Sequence, residues 1–284
     1  MTVTKYRRPL NPEQLAVLQW LYQYRFSTSK QLASYLLKPN PKAIQNKLQI
    51  LEQQGFIGKH YDKSYKLAGQ AAEYYLAPSG ARRLASYHNS LPETDKNRQA
   101  IEASVVKALY KNKTVSDSFI QHCLIIVDTV QHLKDLYGDK LQIFSQATIA
   151  AYDYFLSWKP DVFLSLKTSD EMQRYFLDIW DDTKPFFVGV RKMRNYLNDQ
   201  ENNGWLEGYD YPYVLAICKD DTTQKKLNRQ VIKALNENYI TDEITYATTT
   251  IERLRSATKP TDKIWSKVDL DDEPERLSLK NLYS

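Results

Sequence analysis

The chain has 284 residues, of which 42% are hydrophobic and 26% are charged, a composition typical of globular proteins and not of disordered or fibrous ones. This length is enough for about two domains. The formal net charge is only +5, and the eight glycines argue against glycine-rich phosphate loops and against an all-β fold with many tight turns.

The charge is distributed unevenly along the chain. Residues 1–90 contain 13 Lys and Arg against 4 Asp and Glu, a net charge of +9. Residues 91–284 contain 26 basic against 30 acidic residues, a net charge of −4. A basic segment joined to a mildly acidic one predicts a polyanion partner for the first third of the chain.

The first third shows the signals of three short helices. Asn11 and Pro12 have the residue types of an N-cap and an N1 position, and apolar residues at helical spacing follow. Ser and Thr residues precede a second helix over 30–37, and a third helix over 42–54 carries an apolar stripe of Ala43, Ile44, Leu48 and Leu51. A hairpin with a polar tip at 62–64 and a further helix complete the order that is typical of a winged helix-turn-helix domain over 1–90.

The residues outside the apolar stripe of the third helix predict DNA contacts. In a helix-turn-helix domain this helix enters the major groove, where ammonium and amide groups donate to base edges and phosphates. The wing meets the phosphate backbone. The candidate DNA-binding residues are Lys30, Lys42, Gln45, Asn46, Lys47, Gln49, Lys59, Lys63 and Lys66. The alternative is a winged helix that binds protein, with these side chains merely solvated.

The rest of the chain alternates helices and strands. After a polar linker at 92–96, helices over 97–110 and 116–137 form a connector that spans 91–138. Period-two apolar runs over 141–144, 161–166, 175–180, 213–218 and 243–248 predict strands, and helices are expected over 187–198, 223–236 and 250–256. This order predicts an α/β domain with a mixed sheet over 139–258, followed by a polar tail over 259–284, so that the whole chain has an α+β fold.

Several short motifs in a fixed order resemble the replication-relaxation family of plasmid and mobile-element proteins. The matching stretches are 10–18, 26–33, 75–81, 159–164, 175–183 and 191–196. The resemblance implies an N-terminal winged helix and a C-terminal domain like the PD-(D/E)xK core of restriction endonucleases. It also implies a role in replication control or DNA transfer.

A nuclease site can be traced on these residues. Asp161 follows Pro160, and Asp178 lies on the next strand, so the two carboxylates can hold Mg²⁺ on adjacent strands while a nearby Lys stabilises phosphoryl charge. Trp180 stands where the nuclease motif has its Lys, and Lys192 on the following helix is the candidate replacement. Because Lys192 would have to reach across a large apolar ring, we expect a degenerate site without cleavage.

No other cofactor or membrane segment is expected. The sequence contains no HxxxH, HExxH, GxxxxGK[ST] or GxGxxG pattern. Cys123 and Cys218 form no disulfide framework, the basic N-terminus lacks the apolar region of a signal peptide, and the longest apolar run is far too short to cross a bilayer. These features predict a cytoplasmic protein.

The favoured interpretation is a plasmid or mobile-element protein that binds double-stranded DNA and acts in replication control or DNA transfer. Two alternatives stay open. One is a Mg²⁺-dependent DNA endonuclease or nickase that uses Asp161, Asp178 and Lys192, and the other is an adaptor that docks a relaxase or replication protein. A homodimer also stays open, because winged-helix proteins often bind palindromic sites as dimers.

Overall fold

The computed structural model describes residues 9–95, 98–155, 159–169, 171–203, 205–206, 208–238, 244–268 and 275–283. The chain divides into two compact units, Met1–Val127 and Asp128–Ser284. This division differs from the predicted domain boundaries after residues 90 and 138. Within the described ranges, no helix is both long and apolar enough to cross a membrane.

The first unit combines helices with a small antiparallel sheet. Its described strands are β1 (Phe26–Thr28), β2 (Ile57–His60) and β3 (Glu73–Leu76), in the spatial order β1-β3-β2. Its helices are α1 (Pro12–Tyr24), α2 (Ser29–Tyr35), α3 (Lys42–Gln53), α4 (Lys63–Leu67), α5 (Pro78–Ser90) and α6 (Ala103–Leu109). Helix α7 (Asp117–Tyr137) begins in this unit and contains the division between Val127 and Asp128.

Local capping starts the first two helices, and an apolar stripe anchors the third. Asn11 forms a capping box with Gln14, and Thr28 forms one with Gln31, so backbone amides at both helix starts have acceptors. On α3, the side chains of Ile44, Leu48 and Leu51 are fully or almost fully buried. Burial of each contributes at most about 3 kcal/mol to stability.

The structure corrects three expectations in the first unit. Helix α2 ends at Tyr35, two residues early, and Leu37 adopts a left-handed φ of 52° and is exposed. Ala43, predicted to face inward, is exposed. The predicted hairpin tip is the helix α4, because the Asp62 carboxylate accepts hydrogen bonds from two amides of its first turn.

The helix predicted over 97–110 is shorter than expected. Helical structure covers only Ala103–Leu109, and residue 97 lies outside the described residues. The amide of Gln99 donates to His88, and the amide of Glu102 donates to the hydroxyl of Tyr22. These contacts with distant residues take the place of helical hydrogen bonds.

The second unit is built on a mixed sheet. Its described strands are β4 (Leu141–Ser145), β5 (Val162–Lys167), β6 (Met172–Trp180), β7 (Tyr213–Cys218), β8 (Tyr246–Thr250), β9 (Trp265–Lys267) and β10 (Arg276–Leu277). The helices are α8 (Gln146–Ile149), α9 (Phe186–Asn203), α10 (Asp221–Asn238) and α11 (Ile251–Ser256).

The strand directions bring the functional candidates to one part of this sheet. The spatial order is β10-β9-β8-β7-β6-β5-β4; β4, β5 and β6 are antiparallel, whereas β6, β7 and β8 are parallel. Helices α9 and α10 are therefore the crossover connections between parallel strands. The α+β fold predicted from the sequence, with a mixed sheet in its second half, is confirmed.

The segment 259–284 is not the polar tail that its composition predicted. Strand β9 pairs with β8, and β10 pairs with β9. Trp265 on β9 is completely buried, Leu279 and Leu282 are buried, and the ring of Tyr283 stacks on Tyr213 with 3.9 Å between ring centroids. A few apolar residues spaced among polar ones thus anchor the segment, and its acidic stretch 269–274 lies outside the described residues.

Candidate functional site

Helix α3 exposes polar side chains opposite its buried stripe. Lys42, Gln45, Asn46 and Gln49 are all exposed, as expected for the predicted recognition helix. Lys30 on α2 is exposed as well, and so are Lys63 and Lys66 on α4. Most of the candidate DNA-binding residues in the first unit are therefore exposed to solvent.

Two of the candidate lysines are engaged in ion pairs, which the sequence did not indicate. The Glu13 carboxylate binds Lys38 at 2.6 Å and Lys47 at 2.9 Å. Hydrogen bonds from these two ammonium groups lower the pKa of Glu13. Lys59 is paired with Glu52 at 2.9 Å. Lys47 and Lys59 are thus partly neutralised within the protein.

The predicted carboxylate pair lies on neighbouring strands of the second unit. Val162 on β5 pairs with Leu177 on β6, and this antiparallel register sets Asp161 opposite Asp178. The amide of Asp161 donates to Asp178 Oδ1 at 3.0 Å, and the amide of Ile179 donates to Asp161 Oδ2 at 2.9 Å. Both carboxylates are buried, and these backbone hydrogen bonds fix their orientation.

Lys192 on α9 reaches both carboxylates. Its Nζ donates to Asp178 Oδ1 and lies 3.8 Å from Asp161 Oδ1. One helical turn further along, the hydroxyl of Tyr196 donates to Asp178 Oδ2 at 2.9 Å. Gln146 on α8 approaches Asp161 Oδ1 with its side-chain nitrogen at 3.5 Å. The structure therefore brings together the three residues that the sequence singled out.

Trp180 does not separate Lys192 from the carboxylates, so the expected obstruction is wrong. Its indole ring lies against the helix backbone at Gly189, where an added Cβ would be only 2.6 Å from the ring. The ring also meets Phe186 edge-on, with 5.5 Å between centroids. Because Gly189 leaves room for the indole against the start of α9, Lys192 approaches the carboxylates directly.

A cleft of about 320 Å³ opens at this cluster. Asp161, Asp178, Lys192 and Trp180 line it, together with residues of the first turns of α9 and α10 and the lysines Lys184 and Lys226. Asp181 and Asp182 line it too, but Asp181 accepts hydrogen bonds from Thr183, and Asp182 is paired with Lys219. The buried carboxylates are therefore reached from an open surface.

The charges in the cluster shift one another's pKa. Burial raises the pKa of Asp178; Lys192 opposes this shift, and the neighbouring Asp161 adds to it. Burial alone would lower the pKa of Lys192, but the carboxylates of Asp161 and Asp178 outweigh it, and the pKa lies above its ordinary value. Lys192 consequently carries its positive charge at neutral pH.

The donor set fits a hard divalent cation. Asp161 and Asp178 already converge on one cation, the ammonium of Lys192, and carboxylate oxygens are the ligands that Mg²⁺ prefers. Among the described residues, no group of three or more His, Cys, Asp and Glu side chains is arranged to hold a metal. Two carboxylates are nevertheless enough for Mg²⁺, which usually keeps several of its waters.

Sequence reasoning missed two members of the cluster. Tyr196 lies four residues after Lys192 and so on the same helix face, which is a signal that could have identified it. Gln146 comes from a four-residue helix that no sequence pattern indicated. Its approach to Asp161 depends on the pairing of β4 with β5.

Comparison with known proteins assigns the chain to a protein family. Two structures of the restriction endonuclease FokI, one of them described as bound to DNA, match 85% of this chain at 11% and 14% identity. The matches cover 43% and 42% of the FokI chains. Their TM-scores of 0.31 and 0.32 are too low to indicate a shared fold or a shared activity. No curated protein matches significantly. The family model described as Replication-relaxation matches residues 18–204, more than half of the chain, and the protein therefore belongs to the replication-relaxation family.

Proposed function

We propose that this protein binds double-stranded DNA of a plasmid or another mobile element and acts in replication control or DNA transfer. The observation that carries this proposal is the exposed polar face of α3, formed by Lys42, Gln45, Asn46 and Gln49, within a segment of net charge +9. In this proposal the first unit acts as a winged helix-turn-helix domain, with α3 in the major groove.

Each type of side chain on this surface has a different part in binding. Lysines that neutralise phosphates release counterions, so the affinity falls steeply with salt, with a slope of about −0.9 per phosphate contact in a plot of log K against log salt. Amide side chains such as Gln45 and Asn46 can bind adenine through two hydrogen bonds, at about 1–3 kcal/mol of discrimination per contact. The lysines supply affinity and the amides supply sequence preference.

Selection of bound fragments from the host element, followed by titration at several salt concentrations, tests the proposal. We expect Asn46→Ala to weaken the preference for the selected sequence, whereas Asn89→Ala, at an exposed amide on α5, leaves it unchanged. Lys63→Ala should weaken binding to every duplex alike. Absence of duplex binding at low salt, or binding that does not respond to salt, would contradict the proposal.

The convergence of Asp161, Asp178 and Lys192 in an open cleft favours a second candidate function, Mg²⁺-dependent cleavage of a DNA strand. Asp161 and Asp178 would hold the metal, which supplies Lewis-acid activation of a phosphoryl oxygen and neutralises charge when it is bound. The ammonium of Lys192 would stabilise negative charge that develops on the phosphoryl group. Tyr196 orients the Asp178 carboxylate through its hydroxyl hydrogen bond.

Nicking of a supercoiled plasmid that carries the native element tests this second function. We expect nicks in Mg²⁺ but not in EDTA, and we expect Asp178→Ala to abolish them. Asp182→Ala is the matched control, because Asp182 also lines the cleft but is exposed and paired with Lys219. Nicking that persists in Asp178→Ala would exclude this site, and absence of nicking by the wild-type protein would exclude the activity.

A further inference from the structure

The segment between β2 and β3 carries an exposed leucine on a positively charged tip. We call residues 61–70 the wing tip; it contains helix α4 and the exposed side chains of Lys63 and Lys66. Leu67, the last residue of α4, is 90% exposed. A leucine that is so exposed leaves nearly all of its apolar surface in water, although burial would stabilise it.

Hydrogen bonds hold the wing tip in a defined conformation. Asp62 Oδ1 accepts from the amides of Ser64 at 2.7 Å and Tyr65 at 3.2 Å. The hydroxyl of Tyr65 donates to Glu73 Oε2 at 3.0 Å, and Gln121 donates to Glu73 Oε1 at 2.9 Å. The tip is thereby tied to β3 and α7, so Leu67 projects from an ordered support.

The same contacts explain why Leu67 stays exposed. Tyr65 turns toward the protein to reach Glu73, whereas Lys63, Lys66 and Leu67 are exposed around the rest of the short helix. The wing tip therefore presents the side chain of Leu67, more exposed than the ring of Tyr61 in the same segment, next to two ammonium groups. This combination of side chains is suited to a polyanion that also has an apolar space into which the leucine can insert.

Duplex DNA offers such a gap between adjacent base pairs. Proteins that bind the minor groove insert apolar side chains, leucine among them, between base steps and so kink the duplex by about 20–90°. Lysines beside such a wedge can bind the phosphates that flank the opened step. With α3 in the major groove, as proposed, the neighbouring minor groove is free for a second element of the first unit.

We infer that Leu67 is a wedge that enters the minor groove and bends the bound DNA, with Lys63 and Lys66 on the flanking phosphates. The inference rests on the proposed duplex binding by the first unit and adds DNA bending to it. The unstacking of one base step opposes binding by a few kcal/mol, which the added phosphate contacts offset.

The test uses the full-length protein and a selected duplex of about 20 bp, far below the persistence length, with a fluorescent donor and acceptor at its two ends, about 68 Å apart in straight DNA. Binding is measured by anisotropy and bending by energy transfer at saturating protein. We expect the wild-type protein to raise energy transfer. Leu67→Ala should lose most of this rise and keep its affinity within about threefold, whereas Leu67→Phe, which retains an apolar wedge, should keep the rise.

Leu37→Ala is the matched control, because Leu37 is 92% exposed in the same unit but lies outside the wing tip. Its energy transfer should equal that of the wild-type protein. Wild-type energy transfer in Leu67→Ala, or no rise with the wild-type protein at saturation, would overturn the wedge while leaving duplex binding intact. Absence of binding by anisotropy would overturn both proposals.

Discussion

Lys192 on α9 and Asp178 on β6 form an ion pair whose side chains are only 23% and 6% exposed. Asp161 adds a second carboxylate at 3.8 Å from the same ammonium, so two buried negative charges share one positive charge. Buried carboxylates are costly unless they are paired. The ammonium of Lys192 thus stabilises both buried carboxylates.

Replacing Lys192 should destabilise the second unit. Lys192→Met removes the ammonium that pairs with the buried Asp178, and loss of one member of a buried pair costs about 3–5 kcal/mol. We expect a fall of about 3 kcal/mol in the free energy of unfolding near neutral pH, measured by urea denaturation. Lys225→Met, at an exposed position on α10, is the control and should change the stability little. Equal stability of Lys192→Met and the wild-type protein would contradict the ion-pair geometry.

The loss in Lys192→Met should shrink in acid. The pKa of Asp178 is raised in the folded protein, so the folded state holds a proton more tightly there than the unfolded state does. Lys192 opposes this shift, so the pKa of Asp178 should lie higher still in Lys192→Met. Stability linked to such a group rises as the pH falls toward the unfolded pKa, and it should therefore rise more in the variant than in the wild-type protein. In the wild-type protein the raised pKa of Lys192 has a separate effect. Its contribution to the free energy of unfolding is fully present below the ordinary lysine pKa of 10.5 and is lost as the pH rises through the pKa of the folded state. Denaturation at about pH 5, at about pH 7.5 and above pH 10.5 measures both trends.

A side chain at position 189 should disturb Trp180. A Cβ there would lie 2.6–2.8 Å from three atoms of the indole ring, too close for any contact. We expect Gly189→Ala to destabilise the second unit by about 1–3 kcal/mol, the usual cost of overpacking. The double variant with Trp180→Leu should recover part of the loss, because the ring that causes the clash is gone. Additive losses in the double variant would argue against the contact.

Removing the carboxylate of Glu13 should strengthen DNA binding. Glu13→Gln releases Lys38 and Lys47 from their ion pairs at 2.6 and 2.9 Å. If each lysine then neutralises a phosphate, the salt slope becomes steeper by about 0.9 per added contact. Glu93→Gln changes the net charge by the same amount. It releases only Arg98, whose exposed ion pair with Glu93 is longer, at 3.6 Å, so its effect should be smaller. Equal effects of the two variants would show that only net charge matters.

The C-terminal strands should be necessary for the second unit. Trp265 on β9 is completely buried, and substitution of a buried Trp by Ala costs about 3–5 kcal/mol. We expect that loss for Trp265→Ala in urea denaturation, and less than about 0.5 kcal/mol for Lys263→Ala, which is exposed just before the same strand. A Trp265→Ala protein as stable as the wild type would support the polar tail predicted from composition.

Local features, which depend on residues three or four positions apart, could be predicted from the amino-acid sequence alone. The starts of α1 and α2 follow from the capping residues Asn11 and Thr28, and the buried stripe of α3 follows from its helical spacing. The resemblance to the nuclease motif, placed on two predicted strands and the following helix, singled out Asp161, Asp178 and Lys192 as one cluster.

The pairing of distant segments could not be predicted from the sequence and became visible in the folded chain. The register of β5 on β6 sets Asp161 opposite Asp178, and a slip of one residue would turn Asp161 to the other face of the sheet. The space at Gly189 removed Trp180 from the path of Lys192, and Glu13 reached Lys47 across the fold. The short strands β9 and β10 exist because β8 offers a hydrogen-bonding edge and the core accepts Trp265. Strand pairing and burial draw their energy from partners far along the chain, whereas capping and helical spacing act within a few residues.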